Sequence, residues 1–206
     1  MDKILRDFID GFMFTNIVSI DSYNLLKYHN REEVALHCSQ VANEAVKIAA
    51  RFALNTEEAE VSGHLHDIGK IAHEDDMVRI AYKLNINVLE EEEIHPDLLH
   101  TKLSSVMANQ IFNIKNNSIL SAIECHSTLK SNPSALDLLL FIADKLSWES
   151  EYNQHFKDDV IRGLDKSLEH GAFAYINYLN DNRGNLKVIH PWLGDAYYYL
   201  RSICLK

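Results

Sequence analysis

The stretch EVALHCSQVANEAVKIAARF, residues 33–52, decides the fold class. Val34, Cys38, Val41, Ala45, Ile48 and Phe52 recur every three or four residues, the spacing of one face of an amphipathic α-helix. His37 lies one position from that stripe, so it can face inward at its edge. Downstream, Asn55 with Glu58 three residues on predicts an N-cap and capping partner. The helix so opened leads through Ala59 and Val61 into SGHLHDIGK, residues 62–70, where Gly69 offers a helix stop. Within it, His66-Asp67 sets an imidazole beside a carboxylate, two adjacent metal-ligand types.

The same period continues. Helices are predicted over Glu74 to Leu84, from Pro96 through His100 to Ile111, over Ile119 to His126, Ser134 to Leu146, Asp158 to Leu179 and Trp192 to Cys204. The run Glu90 to Glu93 predicts solvated surface, and Leu186 to Ile189 a short extended piece. Ile4, Leu5, Phe8, Ile9, Phe12 and Met13 predict an N-terminal helix packed on the main body, ending in a polar connector over 21–31. A dimer contact is the alternative use of that helix. Only 7 Gly and 3 Pro argue against a turn-rich all-β fold, and the expectation is all-α.

Composition narrows the partners. The formal charge of −10 argues against nucleic acid or an anionic membrane as the main partner. No apolar stretch is long enough to span a bilayer, and none has the layout of a signal peptide. Cys38, Cys125 and Cys204 form no C-x-x-C pair. They suit free thiols in a reducing cytoplasm, with Cys125 read as a small buried hydrophobe.

Six residues are candidates for one site: His37, His66, Asp67, His100, His126 and Asp144. Histidines and carboxylates from separate helices are how a bundle builds a metal site in its core. Four His and two Asp exceed what one tetrahedral zinc needs, and suit two metals sharing a carboxylate, with Asp67 as the natural bridge. The mixed nitrogen and oxygen set favours iron or manganese over zinc. Of the other histidines, His29, His73, His155 and His170 read as surface, and His64 as outside the site. His95 reads as a helix cap and His190 as structural. A purely structural helical protein with scattered histidines remains the plain alternative.

The order His37, His66-Asp67, His100, His126, Asp144 resembles the HD-domain metal-dependent phosphohydrolases. Flanking residues resemble the YqeK subgroup: His37-Cys38-Ser39-Gln40-Val41-Ala42, Leu65-His66-Asp67-Ile68-Gly69-Lys70 and His95-Pro96-Asp97-Leu98-Leu99-His100. So do Ala122-Ile123-Glu124-Cys125-His126-Ser127-Thr128 and Phe141-Ile142-Ala143-Asp144. The resemblance covers roughly residues 33 to 150. It implies an HD-domain helical bundle with a di-iron centre in its core, hydrolysing diadenosine tetraphosphate symmetrically to two ADP. His37, His66, Asp67 and Asp144 would then hold one ion, and Asp67, His100 and His126 the other. Asp67 and Lys70 are the expected catalytic residues. Lys70, Lys130 and Lys145 are the expected contacts to an anionic nucleotide. The subgroup's usual Gly-Arg-Pro is here Thr128-Leu129-Lys130-Ser131-Asn132-Pro133, without the arginine. Its Tyr-Ile-Glu-Pro-Asn-Arg run is here Lys145-Leu146-Ser147-Trp148-Glu149-Ser150. Two alternatives stay open: an HD hydrolase of nucleoside monophosphates or small phosphoesters, and a metal-binding nucleotide sensor without turnover. The expected organisation is an accessory helix over 1–30 and an HD domain with C-terminal helices over 31–206.

Overall fold

Residues 1–147 and 154–205 are described by a computed structural model, with the backbone alone at 154 and 155. The expectations for His155 and for Trp148, Glu149 and Ser150 therefore fall outside the described side chains. Among the described residues there are twelve α-helices and no strand. They are α1 (Lys3–Asp7), α2 (Val18–Tyr28), α3 (Glu32–Arg51), α4 (Thr56–Leu65), α5 (Glu74–Lys83) and α6 (Glu90–Ile94). Then come α7 (His100–Gln110), α8 (Asn117–Cys125), α9 (Ala135–Ser147), α10 (Gln154–Leu164), α11 (Leu168–Asp181) and α12 (Pro191–Cys204). No helix among these residues is long and apolar enough to cross a membrane.

The centre of the bundle is α9. Every side chain from Leu136 to Lys145 is buried, as expected of a helix that is apolar all round. Around it α3, α4, α8 and α11 pack, and Leu139, Leu140 and Phe141 are wholly inaccessible. Burial of each such side chain contributes about 1.5–3 kcal/mol. Because α9 runs through the core, Asp144 near its end is delivered to the interior. The α3–α4 contact is unusually close. A Cβ at Gly63 would lie 2.4 Å from the Ala42 Cα, so only glycine lets α4 approach the small-residue face of α3.

Helix ends rely on asparagine where glycine is scarce. Asn55 caps α4 by accepting from the Glu57 and Glu58 amides, as its sequence position predicts. The Glu58 side chain accepts instead from Asn116. Asn30 and Asn85, just after α2 and α5, take positive φ values of 58° and 56°, the left-handed conformation that ends helices and that asparagine tolerates.

Several local expectations are corrected. The polar connector over 21–31 is mostly helix α2. Asp21 is buried there because it accepts from the Thr15 backbone and hydroxyl at 2.8 Å each, while Leu25 and Leu26 join Leu5, Cys38, Ile68 and Met107 in one apolar cluster. The stretch 158–179 is two helices, broken where Ser167 caps α11. Residues 186–189 form no strand. His29 is half-buried, its Nε2 2.7 Å from the Phe8 carbonyl, rather than on open surface. His170 is likewise half-buried, its Nδ1 3.0 Å from the Ser167 hydroxyl. His95 makes no side-chain cap bond. His190 is structural as expected: its Nδ1 accepts from the Trp192 amide, so its Nε2–H faces Glu92 Oε1 at 3.3 Å.

That last contact overturns the solvated reading of the acidic run at one residue, Glu92, while Glu90 and Glu93 are exposed as expected. Glu92 is 1% exposed. Its Oε2 takes the buried Lys102 ammonium at 2.8 Å and the Leu89 amide at 2.8 Å. The same ammonium donates to the Asn87 carbonyl and lies over the Trp192 ring. This buried cluster joins α6, α7 and α12.

Candidate metal centre

Three of the six candidate residues end helical segments, and their local geometry is the same. His66 closes α4, His126 closes α8, and His100 stands where the 3-10 turn Pro96–Leu99 passes into α7. The last carbonyls of a helix lack intrahelical partners. Each of these histidines supplies one: Nδ1 of His66 lies 2.8 Å from the Gly63 carbonyl, and Nδ1 of His126 2.8 Å from that of Ile123. His100 Nδ1 bonds the Asp97 carbonyl in the same way. A carbonyl only accepts, so Nδ1 carries the proton, and in the neutral ring Nε2 is left with a bare lone pair. Burial pushes all three imidazoles below their ordinary pKa, His100 to about 4.

These lone pairs meet around Asp67. His100 Nε2 is 3.2 Å and His126 Nε2 3.5 Å from Asp67 Oδ1, and His66 Nε2 is 3.6 Å from Asp67 Oδ2. On the other side, Asp144 Oδ1 lies 3.0 Å from His37 Nε2 and 3.8 Å from His66 Nε2. All six candidates therefore converge. Two groups with donor atoms close enough to hold an ion emerge, His37-His66-Asp67 and Asp67-His100-His126, and Asp67 belongs to both.

One oxygen of each carboxylate also faces a lysine. Asp67 Oδ2 is 3.1 Å from Lys70 Nζ, and Asp144 Oδ2 is bonded to Lys145. Burial alone pushes both carboxyls upward. His66 and Lys70 around Asp67, and Lys145 and His37 around Asp144, outweigh it and hold both well below the usual carboxylate range. Both aspartates are thus anionic at neutral pH.

The donor set passes a direct test of fit to a cation. His66 Nε2 and Asp67 Oδ1 are buried and have no hydrogen-bond partner among the described residues. His100 and His126 set their Nε2 atoms 3.3 Å apart, lone pair to lone pair in the tautomers fixed above. Buried acceptors facing acceptors are costly, and cations held by the two groups that share Asp67 would satisfy them.

A cavity of about 500 Å³ opens on this group, lined by His37, Asp67, Lys70, His100, His126 and Asp144, with Glu33, Asp97, Ser127, Lys145 and Tyr175. The lysines differ. Lys70 is one-third exposed and faces the cavity. Lys145 also lines it but is buried, its ammonium on Asp144 and over the Phe141 and Tyr175 rings. Lys130 is a correction: it does not line the cavity, because Asp137 at 3.1 Å and the Ser121 hydroxyl hold its ammonium elsewhere. His64 and His73 also lie off the lining. Ser104 and Ser127 were not legible in the sequence. Ser127 Oγ lies 3.3 Å from His100 Nε2, and Ser104 Oγ accepts from the Gly69 amide at 2.8 Å.

Gly69 also proves to be something other than a helix stop. It lies in the 3-10 turn Ile68–Ile71 after α4, and a Cβ there would be 2.4 Å from the His100 carbonyl oxygen and 2.8 Å from the Ser104 amide nitrogen. Both are backbone atoms that cannot step aside. Gly69→Ala is expected to destabilise the protein by about 1–3 kcal/mol and to lower its metal content. Gly194→Ala, in α12 with nothing within 4 Å of the new methyl, is expected to be neutral or stabilising. Thermal denaturation with elemental analysis compares them, and equal behaviour would contradict the close contact.

The profile of the HD domain family matches residues 34–149. A protein of Lactococcus lactis subsp. cremoris, described as "Uncharacterized protein in pepC 5'region", is 42% identical over 144 residues, 69% of this chain and 72% of that one. A protein of Bacillus subtilis (strain 168) described as "Bis(5'-nucleosyl)-tetraphosphatase, symmetrical" is 24% identical over 121 residues, 58% of this chain. The match spans 63% of that tetraphosphatase, less than two thirds of its length. The fold is that of a Clostridium acetobutylicum protein described as a "predicted HD superfamily hydrolase involved in NAD metabolism", with a TM-score of 0.79 at 24% identity over 93% of this chain and 99% of that one.

Proposed function

Since the chain belongs to the HD domain family, we propose that it is a metal-dependent phosphohydrolase that cleaves diadenosine tetraphosphate symmetrically into two molecules of ADP. One observation carries the reading: a single carboxylate, Asp67, shared by two histidine-containing groups on the wall of an accessible cavity. That arrangement suits two ions sharing one bridge.

His37, His66, Asp67 and Asp144 would hold one transition-metal ion, and Asp67, His100 and His126 the second, with iron favoured and manganese next. Bound there, such ions supply a water acidified toward neutrality and a counter-charge to the phosphoryl group. The chain's own residues do the rest. The carbonyl-tied imidazoles hold their Nε2 atoms in place. Lys145 keeps Asp144 ionised from behind. Lys70 keeps Asp67 ionised and, facing the cavity, sets an ammonium where substrate phosphate enters. Hydrolysis adds one water across the central anhydride. Its hydroxyl goes to one inner phosphorus, and the bridging oxygen leaves with the other ADP.

The test pairs elemental analysis of anaerobically purified protein with product analysis. Up to two ions per chain, and ADP with no ATP plus AMP, are expected. Protein that takes up no metal on reconstitution would refute the site. Preferential hydrolysis of a nucleoside monophosphate, with no symmetrical cleavage of the tetraphosphate, would replace the substrate with the runner-up class.

A further inference from the structure

We infer that Arg31 and Lys70 form a second anion subsite, which holds the phosphate chain of the substrate beyond the bond that is cut. The inference rests on the phosphohydrolase reading of the adjoining cavity and adds a residue that selects for chain length.

Beside the main cavity lies a smaller hollow of about 140 Å³, and the two share Val34, Lys70 and Asp97 as walls. Arg31 lines its far side, just before α3. Its backbone amide bonds the Leu26 carbonyl. Its guanidinium makes no hydrogen bond, ion pair or ring contact with any described residue. An arginine half-buried at the wall of a hollow and left without a partner is a ready phosphate fork, able to give two parallel hydrogen bonds.

From Asp67 outward the order is then carboxylate, ammonium, guanidinium: Lys70 on the shared wall and Arg31 beyond it. The smaller hollow has room for a phosphate. Glu74 and Asp97 also border it. In this proposal an orthophosphate or a monophosphate seated at Asp67 would meet Lys70 alone, and a longer phosphate chain would continue past Lys70 to Arg31. This supplies a guanidinium that the segment after His126 lacks, from a different part of the fold.

The experiment uses the metal-loaded full chain and reads binding as well as turnover. Calorimetric titrations with inorganic tripolyphosphate and with orthophosphate are compared for the native protein, Arg31→Ala and Arg31→Gln. Loss of a charged fork is expected to lower the ratio of tripolyphosphate to orthophosphate affinity about 10- to 100-fold. KM for diadenosine tetraphosphate should rise by a similar factor, and Arg31→Lys should recover only part of it. An unchanged affinity ratio in both variants would overturn the subsite, even if the tetraphosphate is cleaved normally. If the ratio falls but the native protein cleaves no dinucleoside tetraphosphate, the subsite stands and the assignment of substrate fails. With its guanidinium free of partners, Arg31 is expected to be replaceable without loss of fold, and circular dichroism of both variants checks this.

Discussion

Asp67→Ala should reduce kcat/KM for phosphate hydrolysis by about 10³-fold or more, while Lys70→Ala should cost only about 10- to 100-fold. The difference follows from position. Asp67 is shared by both groups of donor atoms, so its loss removes a ligand from each of the two proposed ions at once. Lys70 touches the site through Asp67 Oδ2 at 3.1 Å, and removing an outer partner of a metal ligand typically costs 10- to 100-fold in affinity or activity. Metal content should fall sharply in Asp67→Ala and only partly in Lys70→Ala. Asp67→Asn, which keeps the shape and discards the charge, should resemble the alanine variant. Near-normal turnover with near-normal metal in Asp67→Ala would dismiss the shared-carboxylate site.

Glu92→Ala is expected to be among the most destabilising single substitutions outside the site, costing about 3–5 kcal/mol. It leaves the Lys102 ammonium, whose side chain is 5% exposed, without its carboxylate, and uncompensated buried charge is what makes broken pairs costly. For a chain of 150–250 residues each kcal/mol lowers Tm by about 2–4 °C, so a fall of roughly 6–20 °C is expected. Glu92→Leu with Lys102→Met should recover most of it, because an apolar replacement of the pair removes both charges together. The pair also predicts the sign of an acid effect. Burial raises the Glu92 pKa, but His190, Lys102 and the Leu89 amide outweigh it and leave it lowered. A lowered folded-state value means this contribution is complete above the ordinary glutamate pKa of about 4.3. It is lost as the pH falls from there through the lower one. In Glu92→Gln the acid-side slope of Tm should flatten, and an unchanged slope would show that the cluster carries none of it.

The helical class was legible because a 3.6-residue period is local, and α3 shows it within twenty residues. The six candidates were legible as a set because each stands in its own helix-patterned segment. What the sequence withheld is long-range. Glu92 reads as one acid in a run of four until Lys102, ten residues on, and His190, 98 residues on, close around it. Asp21 reads as a connector residue until Thr15 folds back on it. Lys130 reads as a phosphate contact beside His126, yet Asp137 captures it. Leu129, buried at a φ of 57° just after His126, breaks the local rule outright. A left-handed leucine costs about 1–2 kcal/mol, and the tight turn closed by its amide on the Cys125 carbonyl at 2.7 Å holds it there. Arg31 gave no signal, since its meaning lies in the hollow beside it.

The imidazole–carbonyl ties have one more consequence. A side chain that must be immobilised when it captures a ligand loses rotamer freedom at that moment, about 0.5–1.5 kcal/mol each. Here His66, His100 and His126 give up that freedom when the chain folds, each through a carbonyl three residues behind it. For these three residues no ordering step would then oppose capture of an ion, and loss and recapture of a metal at their Nε2 atoms would be expected to leave the helices that carry them where they are.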